Sequence, residues 1–416
     1  MKKTSVLISG ASIAGPALAY WLRRYGFSVT VVERAPEPRT GGQAIDIRGA
    51  GREAAKRMGL LDQIRAAHTG VRGMAFIDEA GRHMSRMPSD LLGHSGGVVA
   101  EIEILRRDLV QILYQASRDG VEYVFADSIA EMAEHNDGMM VTFERSGTRK
   151  FDIVVGADGL HSRVRALAFG SEAHFVRDLG YYTAIFTAPR RVDLDGWFVF
   201  HPAPPGRMAG LYPVRGSDEA RAMFFFTSSK LEYDRHNENE QKQLLAEVFG
   251  GVGWEVPRLL DAMWQAPDFY FDRTSRVDID KWSKGRSVLL GDAAYCGSVG
   301  MGTSMALVGA YVLAGELAAS PDDHRAAFAR YQAEMLGYVK ENLKPMPGGV
   351  NGFLPRSRRA VWLRNQMIRV LPHLPMKERM TGSMERAASA ITLKDYAALL
   401  PVRMASVQAR HPELPH

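Results

Sequence analysis

The sequence predicts an α/β protein: a discontinuous parallel-sheet domain, an antiparallel sheet inserted into it, and helices at the C-terminal end. Three observations predict this. Short β-branched runs at 4–9, 28–33, 151–155 and 286–292 have the apolar character of strands buried on both faces. The first two are joined by a glycine turn and a helical stretch within about 30 residues, the size of a βαβ unit. Residues 175–275 have another texture, with alternation, Pro-Gly turns and many aromatics (YYTAIFTAP, WFVFHPAP, AMFFFTSS), which reads as an antiparallel sheet covering a ligand.

Taken in order, TSVLIS (4–9) is the first strand and GASIAG (10–15) the turn. PALAYWLRRYG follows as a helix that stops at Gly26. SVTVVE (28–33) is the second strand. A helical pattern covers 49–67, and short strands are expected at 73–78 and 97–104. Residues 105–120 form an amphipathic helix with Leu105, Leu109, Ile112 and Leu113 on one face. Strands follow at 121–125, 128–134, 139–145 and 151–155, and the parallel-strand pattern returns at 286–292. Helices then dominate, at 302–319, 323–342 and 355–371. The expected division is one domain from 1–174 and 276–345, a sheet domain at 175–275, and a C-terminal helical region at 346–416.

Composition narrows the function classes. A chain of 416 residues exceeds one compact core, so sub-domains are expected. The formal charge of +5 is too small over this length to imply nucleic acid, and it suits acidic small molecules. The single cysteine, Cys296, excludes an internal disulfide and points to a reducing, cytoplasmic setting. No stretch approaches 18 apolar residues, so no membrane span or stable membrane association is expected. No His or Cys cluster has metal-ligand spacing, so no metal site is expected.

The turn Gly10-Ala11-Ser12-Ile13-Ala14-Gly15 is a variant of the dinucleotide fingerprint. Gly10 permits the sharp turn and Gly15 the close packing of helix on sheet. Ser12 stands at the position of closest approach to pyrophosphate, where its hydroxyl can donate to phosphate. The helix beginning near Ile13 and Ala14 offers free N–H groups and a partial positive charge. Glu33 ends the second strand, placed to accept both hydroxyls of an adenosine ribose, and Arg34 follows it. This motif is Rossmann-like and does not by itself separate FAD from NAD.

Two further motifs, VVGADGLHSRVR at 154–165 and GRSVLLGDAAYCGSVGMGTSMAL at 285–307, choose FAD by resemblance. With the N-terminal turn they resemble the three signatures of class A FAD-dependent aromatic monooxygenases, the para-hydroxybenzoate hydroxylase family, in the same order. The stretch from Arg39 through GGQAIDIRGAGREAAKRMGLL is similar to the branch of tetracycline-inactivating monooxygenases. The resemblance implies a Rossmann-like FAD-binding domain. It also implies hydride from NADPH, reaction of reduced flavin with O₂, and oxygen transfer from a flavin C4a-hydroperoxide to an aromatic or polyketide-like small molecule. It calls for no catalytic triad. Asp292 is expected to accept hydrogen bonds from the ribityl hydroxyls of FAD. The helix starting at Gly302 and Thr303 is expected to direct its positive end at the isoalloxazine. Asp158 is expected to support FAD, Arg106 to bridge phosphate and ribityl oxygens, Asp46 to contact FAD and Arg39 to contact NADPH.

Two departures from the family pattern stand out. The loop after Asp292 is short and proline-free, and Tyr295 occupies a position where many members carry His. A reductase or oxidase of the same fold is therefore an alternative, and a non-catalytic flavin- or ligand-binding protein is a third. On the substrate side, Thr183, Arg207 and Met223 match substrate-contacting positions of the tetracycline branch. Apart from Arg207 they are not the residues that would hold tetracycline, so tetracycline is not the expected substrate. Phe186, Phe198, Phe200 and Phe225 either line this pocket or form sheet core. Arg163 and Arg165 are further basic candidates, with a solvated helix face as the plain reading. The basic segment 355–375 is expected to brace the sub-domains through a buried stripe of Leu363, Met367 and Leu371, with membrane contact as the alternative.

Overall fold

Strands apolar on both faces must be covered on both faces, and Ser5–Ser9, Ser28–Glu33 and Ile153–Gly156 meet that demand at the centre of a six-stranded sheet. The computed structural model describes residues 3–39, 41–89, 102–298, 300–345, 348–370 and 385–400. The sheet order is Ser283–Lys284, Ser287–Leu289, Ile153–Gly156, Ser5–Ser9, Ser28–Glu33 and Glu122–Phe125, with parallel pairing except between the first two. All four expected strands are present, and Glu122–Phe125 extends the edge.

Helix Gly302–Ala318 is buried on every side from Thr303 to Leu317, the pattern of a helix inside a core. Gly309 makes this possible, since a Cβ there would lie 2.2 Å from the Tyr295 hydroxyl. The expected helix at 49–67 is two helices, Ala50–Arg57 and Leu61–Ala66, separated by Gly59 at φ +75°. Of the strand expected at 97–104, residues 97–101 lie outside the described residues. Within them, Glu103–Leu105 pairs antiparallel with Ala44–Asp46 as a two-stranded ribbon.

The second sheet has seven strands, in the order Phe269–Val277, Val176–Pro189, Glu219–Thr227, Arg207–Pro213, Trp197–Ala203, Gly73–Ile77 and His83–Pro88. Two of these come from the N-terminal stretch, so this sheet is not confined to 175–275. Trp197–Ala203 lies inside the sheet and needs a partner on each side; Gly73–Ile77 supplies the second by parallel pairing. Such a pair is joined through a long crossover and leaves no local sequence signal. Helices Glu238–Phe249 and Val256–Met263 cover one face, over Tyr182, Ala184, Phe186, Leu211, Phe224 and Phe226. The opposite face carries Phe76, Phe200, Met208 and Phe225, met by Leu354 and Ile368 of the C-terminal region.

Helix Arg358–Val370 lies on the edge strand His83–Pro88 through Ser85 Oγ to Asn365 Oδ1 at 3.0 Å and Arg369 Nε to the Met84 carbonyl at 2.8 Å. It buries Val361, Asn365 and Ile368, whereas Leu363 and Met367 are 56% and 62% exposed. The buried stripe is therefore rotated from the expected one, because hydrogen bonds to the edge strand choose the inward face; Leu371 lies outside the described residues. The later segment docks elsewhere: Tyr396 and Lys394 bond Glu316, at 2.7 and 3.2 Å, on the central helix.

The two sheets are also latched by His161. Its Nε2 is 2.9 Å from Asp272 of the second sheet, and its Nδ1 is 3.0 Å from Glu172 and 2.9 Å from Arg235 Nη1. Burial alone would depress the imidazole; bonding to Asp272 and Glu172 outweighs it and pushes the pKa up to about 9 from an ordinary 6.5. A folded value above the unfolded one means that the latch contributes fully below about pH 6.5 and is lost as pH rises through about 9. The thermal midpoint of the wild type is expected to fall across that window, and His161→Gln to flatten the dependence. Superimposable pH profiles for the two proteins would remove the latch.

Candidate active site

The turn after the first strand is shaped by contacts that admit only glycine. Gly10 has φ +105°, and a Cβ there would lie 2.4 Å from the Ala157 carbonyl oxygen. A Cβ on Gly15 would lie 1.9 Å from the Gly10 carbonyl oxygen. Glu33 secures the turn by accepting from the Ala11 N–H at 2.7 Å and the Ala35 N–H at 2.9 Å. One bond to each oxygen leaves the carboxylate further lone pairs for a ligand. Helix Ala14–Arg24 then starts at Ile13 with no side-chain cap and no acid in its first turn. Its free N–H groups and dipole favour an anion by roughly 0.3–1 kcal/mol.

A second glycine turn meets the first. Gly291, at φ +64°, would place a Cβ 3.2 Å from that of Ala14, and Gly302 one 3.7 Å from Asp292 Oδ1. Asp292 starts a short helix, Asp292–Tyr295, below the uncapped start of helix Gly302–Ala318, which also has no acid in its first turn. The carboxylate is accessible, yet protein atoms surround it densely. It therefore faces an internal cleft and not bulk solvent. Burial pushes its pKa up, and the Arg106 charge partly opposes this.

Arg106 spans the two turns. Its Nη2 donates to Ser12 Oγ at 3.1 Å, and its Nε is buried without an acceptor. Asp46 approaches from the ribbon, paired with Arg48 at 2.7 Å, and a Cβ on Gly300 would come within 3.2 Å of it. The Arg48 N–H in turn donates to Ser304 Oγ at 2.9 Å. The Arg39 guanidinium lies 5.7 Å from the Tyr270 ring centre, and burial and then the Arg106 charge hold its pKa below the ordinary arginine value. Arg34 is exposed at the end of its strand.

The matching family model describes an FAD binding domain and covers residues 3–343. A flavin-dependent monooxygenase from an unknown prokaryotic organism is 38% identical over 94% of this chain and 98% of its own length. An uncharacterized Mycobacterium tuberculosis protein is 44% identical over 94% of this chain and all of its own. The chain belongs to the class A FAD-dependent monooxygenases. The crystal structure of the tetracycline destructase Tet(51) superposes on this flavin monooxygenase with a TM-score of 0.80, at 32% identity over 95% of this chain and 100% of that one.

FAD fits the residues present. The two glycine turns are pressed together at Ala14 and Gly291, and two uncapped helix starts follow them. Arg106 keeps a buried donor without an acceptor, and Asp292 is an acceptor open to the cleft. The donor set matches a diphosphate and a polyol.

Other expected residues fall elsewhere. Asp158 accepts from Ser9 Oγ at 3.1 Å, from Ser162 Oγ, and from the N–H groups of Arg163 and Val164 at 2.9 and 3.1 Å. These donors tie the Asp158 carboxylate to Ser9, next to Gly10, and to the start of the following helix. Arg165 is buried, not solvated, and donates to the Ala293 carbonyl at 2.9 Å and to that of Leu160, which ties the two later motifs together. Cys296 lies against the Ser275 carbonyl, and burial pushes its thiol pKa well up, which keeps it unreactive. Tyr295 points inward, to the Tyr331 hydroxyl at 3.3 Å.

Among the substrate candidates, Thr183 and Met223 share the face of the second sheet opposite the helices, with Thr183 beside Phe225 in register. Arg207 does not join them. Its strand places it on the side of Ala209 and Leu211, where it donates to the Val248 carbonyl at 2.8 Å. Phe186 is likewise in the helix-covered core, while Phe198, Phe200 and Phe225 are on the other face. Sequence reading missed Glu103, which faces Asp46 in the ribbon and accepts from Thr69 Oγ1 at 3.0 Å and from the Tyr212 hydroxyl. Burial and then the Asp46 charge push its pKa up to about 7. Its local signal was the alternation of the acids Glu101 and Glu103 with apolar residues at the end of the expected strand. Asp292→Ala removes an anionic acceptor from the cradle. The purified variant should retain FAD roughly ten- to a hundredfold more weakly, from about 1.5–3 kcal/mol for a charged hydrogen bond, as measured by flavin absorbance after dialysis. Full occupancy would show that the carboxylate plays no part in holding it.

Proposed function

We propose that this flavin monooxygenase takes hydride from NADPH and inserts one atom of O₂ into an aromatic or polyketide-like small molecule. The observation that carries the reading is the shared cleft. The ribbon bearing Asp46, and leading into Arg106, packs through Leu105 onto Tyr212 and Met223, so the cofactor cradle adjoins the aromatic face of the second sheet. Similarity to a tetracycline destructase supports a fused-ring, polyketide-like substrate. When bound, FAD supplies hydride acceptance and activation of O₂.

The chain's own residues bind, orient and exclude water. Ser12, Arg106 and the start of helix Ala14–Arg24 hold the diphosphate, with Ile13, Ala14 and the two glycines as backbone. Glu33, with Arg34 beside it, takes the adenosine end. Asp292 and Asp46 accept from hydroxyl and N–H groups, and Gly302 and Thr303 direct a helix dipole at the ring system. Thr183, Met223 and Phe225 orient a planar substrate and keep the cleft dry. Glu103, raised toward neutrality by burial and the Asp46 charge, accepts from the Tyr212 hydroxyl and is suited to take up or release a proton. Arg39, close enough to feel the Arg106 charge, is a further cation at the cleft that suits a phosphate of NADPH.

Purified enzyme with a panel of polycyclic phenols should consume NADPH and O₂ together and release a product heavier by one oxygen atom. Substrate-linked uptake without incorporation would favour a reductase or oxidase, the reading motivated by the proline-free loop. For the nicotinamide side, Arg39→Ala should raise the KM for NADPH by roughly tenfold, from the loss of one charge-assisted bond, and leave FAD content intact. An unchanged KM would exclude Arg39 from that role.

A further inference from the structure

Away from the cofactor turns, a half-open cleft of about 270 Å³ lies where helices Ala14–Arg24, Ala50–Arg57 and Gly302–Ala318 meet the segment 393–400. Trp21, Tyr25, Tyr311 and Leu400 form its walls, with Arg24 and Asp395 beside them. The Trp21 and Tyr25 rings lie 6.3 Å apart and within 22° of parallel, and Tyr311 meets Trp21 edge-on at 5.0 Å. Arg57 fastens one side. It donates from Nε to Glu53 at 2.9 Å and from Nη1 to the Tyr311 hydroxyl and the Lys394 carbonyl, both at 2.6 Å. The cleft is therefore a fixed depression, because these bonds tie the C-terminal segment to the central helix. The cofactor turn is at the other end of helix Ala14–Arg24, about 15 Å away at 1.5 Å per residue.

Three polar groups around this space keep unused capacity. Arg24 donates from Nη1 to the Tyr20 hydroxyl at 3.1 Å and meets no carboxylate among the described residues. Asp395 is exposed and accepts from the Ala397 N–H at 2.8 Å through Oδ1, which leaves Oδ2 open. The Tyr25 hydroxyl bonds to no described group and is not closed off from solvent. Burial and then the Tyr311 hydroxyl push its pKa up, so it stays a neutral donor, and the Arg24, Asp395 and Arg57 charges all reach it. Arg57 is paired with Glu53, so the unpaired charges here are one positive and one negative. An arginine lying over Tyr20 and Trp21 covers apolar surface with its stem. That accounts for Arg24 but not for the open volume beside it, nor for Tyr25 and Asp395 around the same space. The ligand that answers all three has a flat apolar body for the rings, an acidic group for Arg24 and a cationic N–H group for Asp395. The volume lies just below the roughly 300–1,000 Å³ of drug-sized pockets, which limits the body to one or two fused rings.

We propose that this cleft is a second small-molecule site and that it takes a free aromatic amino acid, with the ring against Trp21 and Tyr25, the carboxylate on Arg24 and the ammonium group on Asp395. Binding there is independent of what the flavin site oxidises and is measured without turnover. Equilibrium dialysis of the FAD-loaded protein would use L-tryptophan and L-phenylalanine. Each is compared with its deaminated acid (indole-3-propionate, 3-phenylpropionate) and its decarboxylated amine (tryptamine, phenethylamine). At least one amino acid should bind about tenfold or more tightly than both of its counterparts, the scale of a charge-assisted hydrogen bond. Arg24→Met should erase the advantage over the amine, and Asp395→Asn the advantage over the acid. Ala397→Trp, which fills the cleft from an exposed position, should abolish binding while flavin absorbance stays unchanged. Absence of binding by the wild type, equal binding of the amino acids and their counterparts, or an advantage that persists in both Arg24→Met and Asp395→Asn overturns the proposal. Binding that survives Ala397→Trp overturns it as well, and assigns the ligand to the flavin-side cleft instead.

Discussion

The site depends on one close approach, the pressing of the Gly10–Gly15 turn against Ala157 on one side and against Gly291 through Ala14 on the other. A Cβ at Gly10 would sit 2.4 Å from a carbonyl oxygen, so no side chain is compatible with this contact. Bringing the turns together aligns the starts of helices Ala14–Arg24 and Gly302–Ala318 at one cleft. Neither helix has a side-chain cap or a first-turn acid, so both keep free N–H groups for a ligand. Asp158 and Arg165 add ties from the later motifs: Asp158 accepts from the Arg163 and Val164 N–H groups, and Arg165 donates to the Ala293 carbonyl.

Hydrogen-bond accounting separates the arginines into two kinds. Arg165 and Arg207 donate to carbonyls of neighbouring segments and act as ties. Arg106 keeps a buried donor at the mouth of the cradle, and Arg364 keeps two at the far end of the aromatic face. A buried N–H with no acceptor costs on the order of 1–3 kcal/mol.

Much of the parallel-sheet domain was legible because its determinants are local. β-branched runs, glycine turns and a strand-ending acid act within a few residues of themselves, and the strands at 4–9, 28–33, 151–155 and 286–292 appear where those signals lie. The substrate side was less legible. Thr183 and Met223 share the aromatic face, whereas Arg207 and Phe186 point to the helix side, since alternate residues of a strand face opposite ways. Which parity faces the cleft depends on helices Glu238–Phe249 and Val256–Met263, far away in sequence. The same reason explains helix Arg358–Val370: its periodicity was readable, but Ser85 and Met84 of a distant edge strand chose which side was buried.

By itself the sequence determined the class of fold, the glycine turns and the family, because each is written in contiguous residues whose backbone requirements few other residues meet. Only the tertiary structure decided that Gly73–Ile77 and His83–Pro88 complete the second sheet and that Asp158 supports where Asp292 faces the cleft. It alone showed Glu103 raised toward neutrality and Arg364 with two buried donors that meet no acceptor. Those properties belong to the environment of a group and not to its identity. Desolvation, charge proximity and the presence or absence of an acceptor arise only when segments remote along the chain are packed side by side.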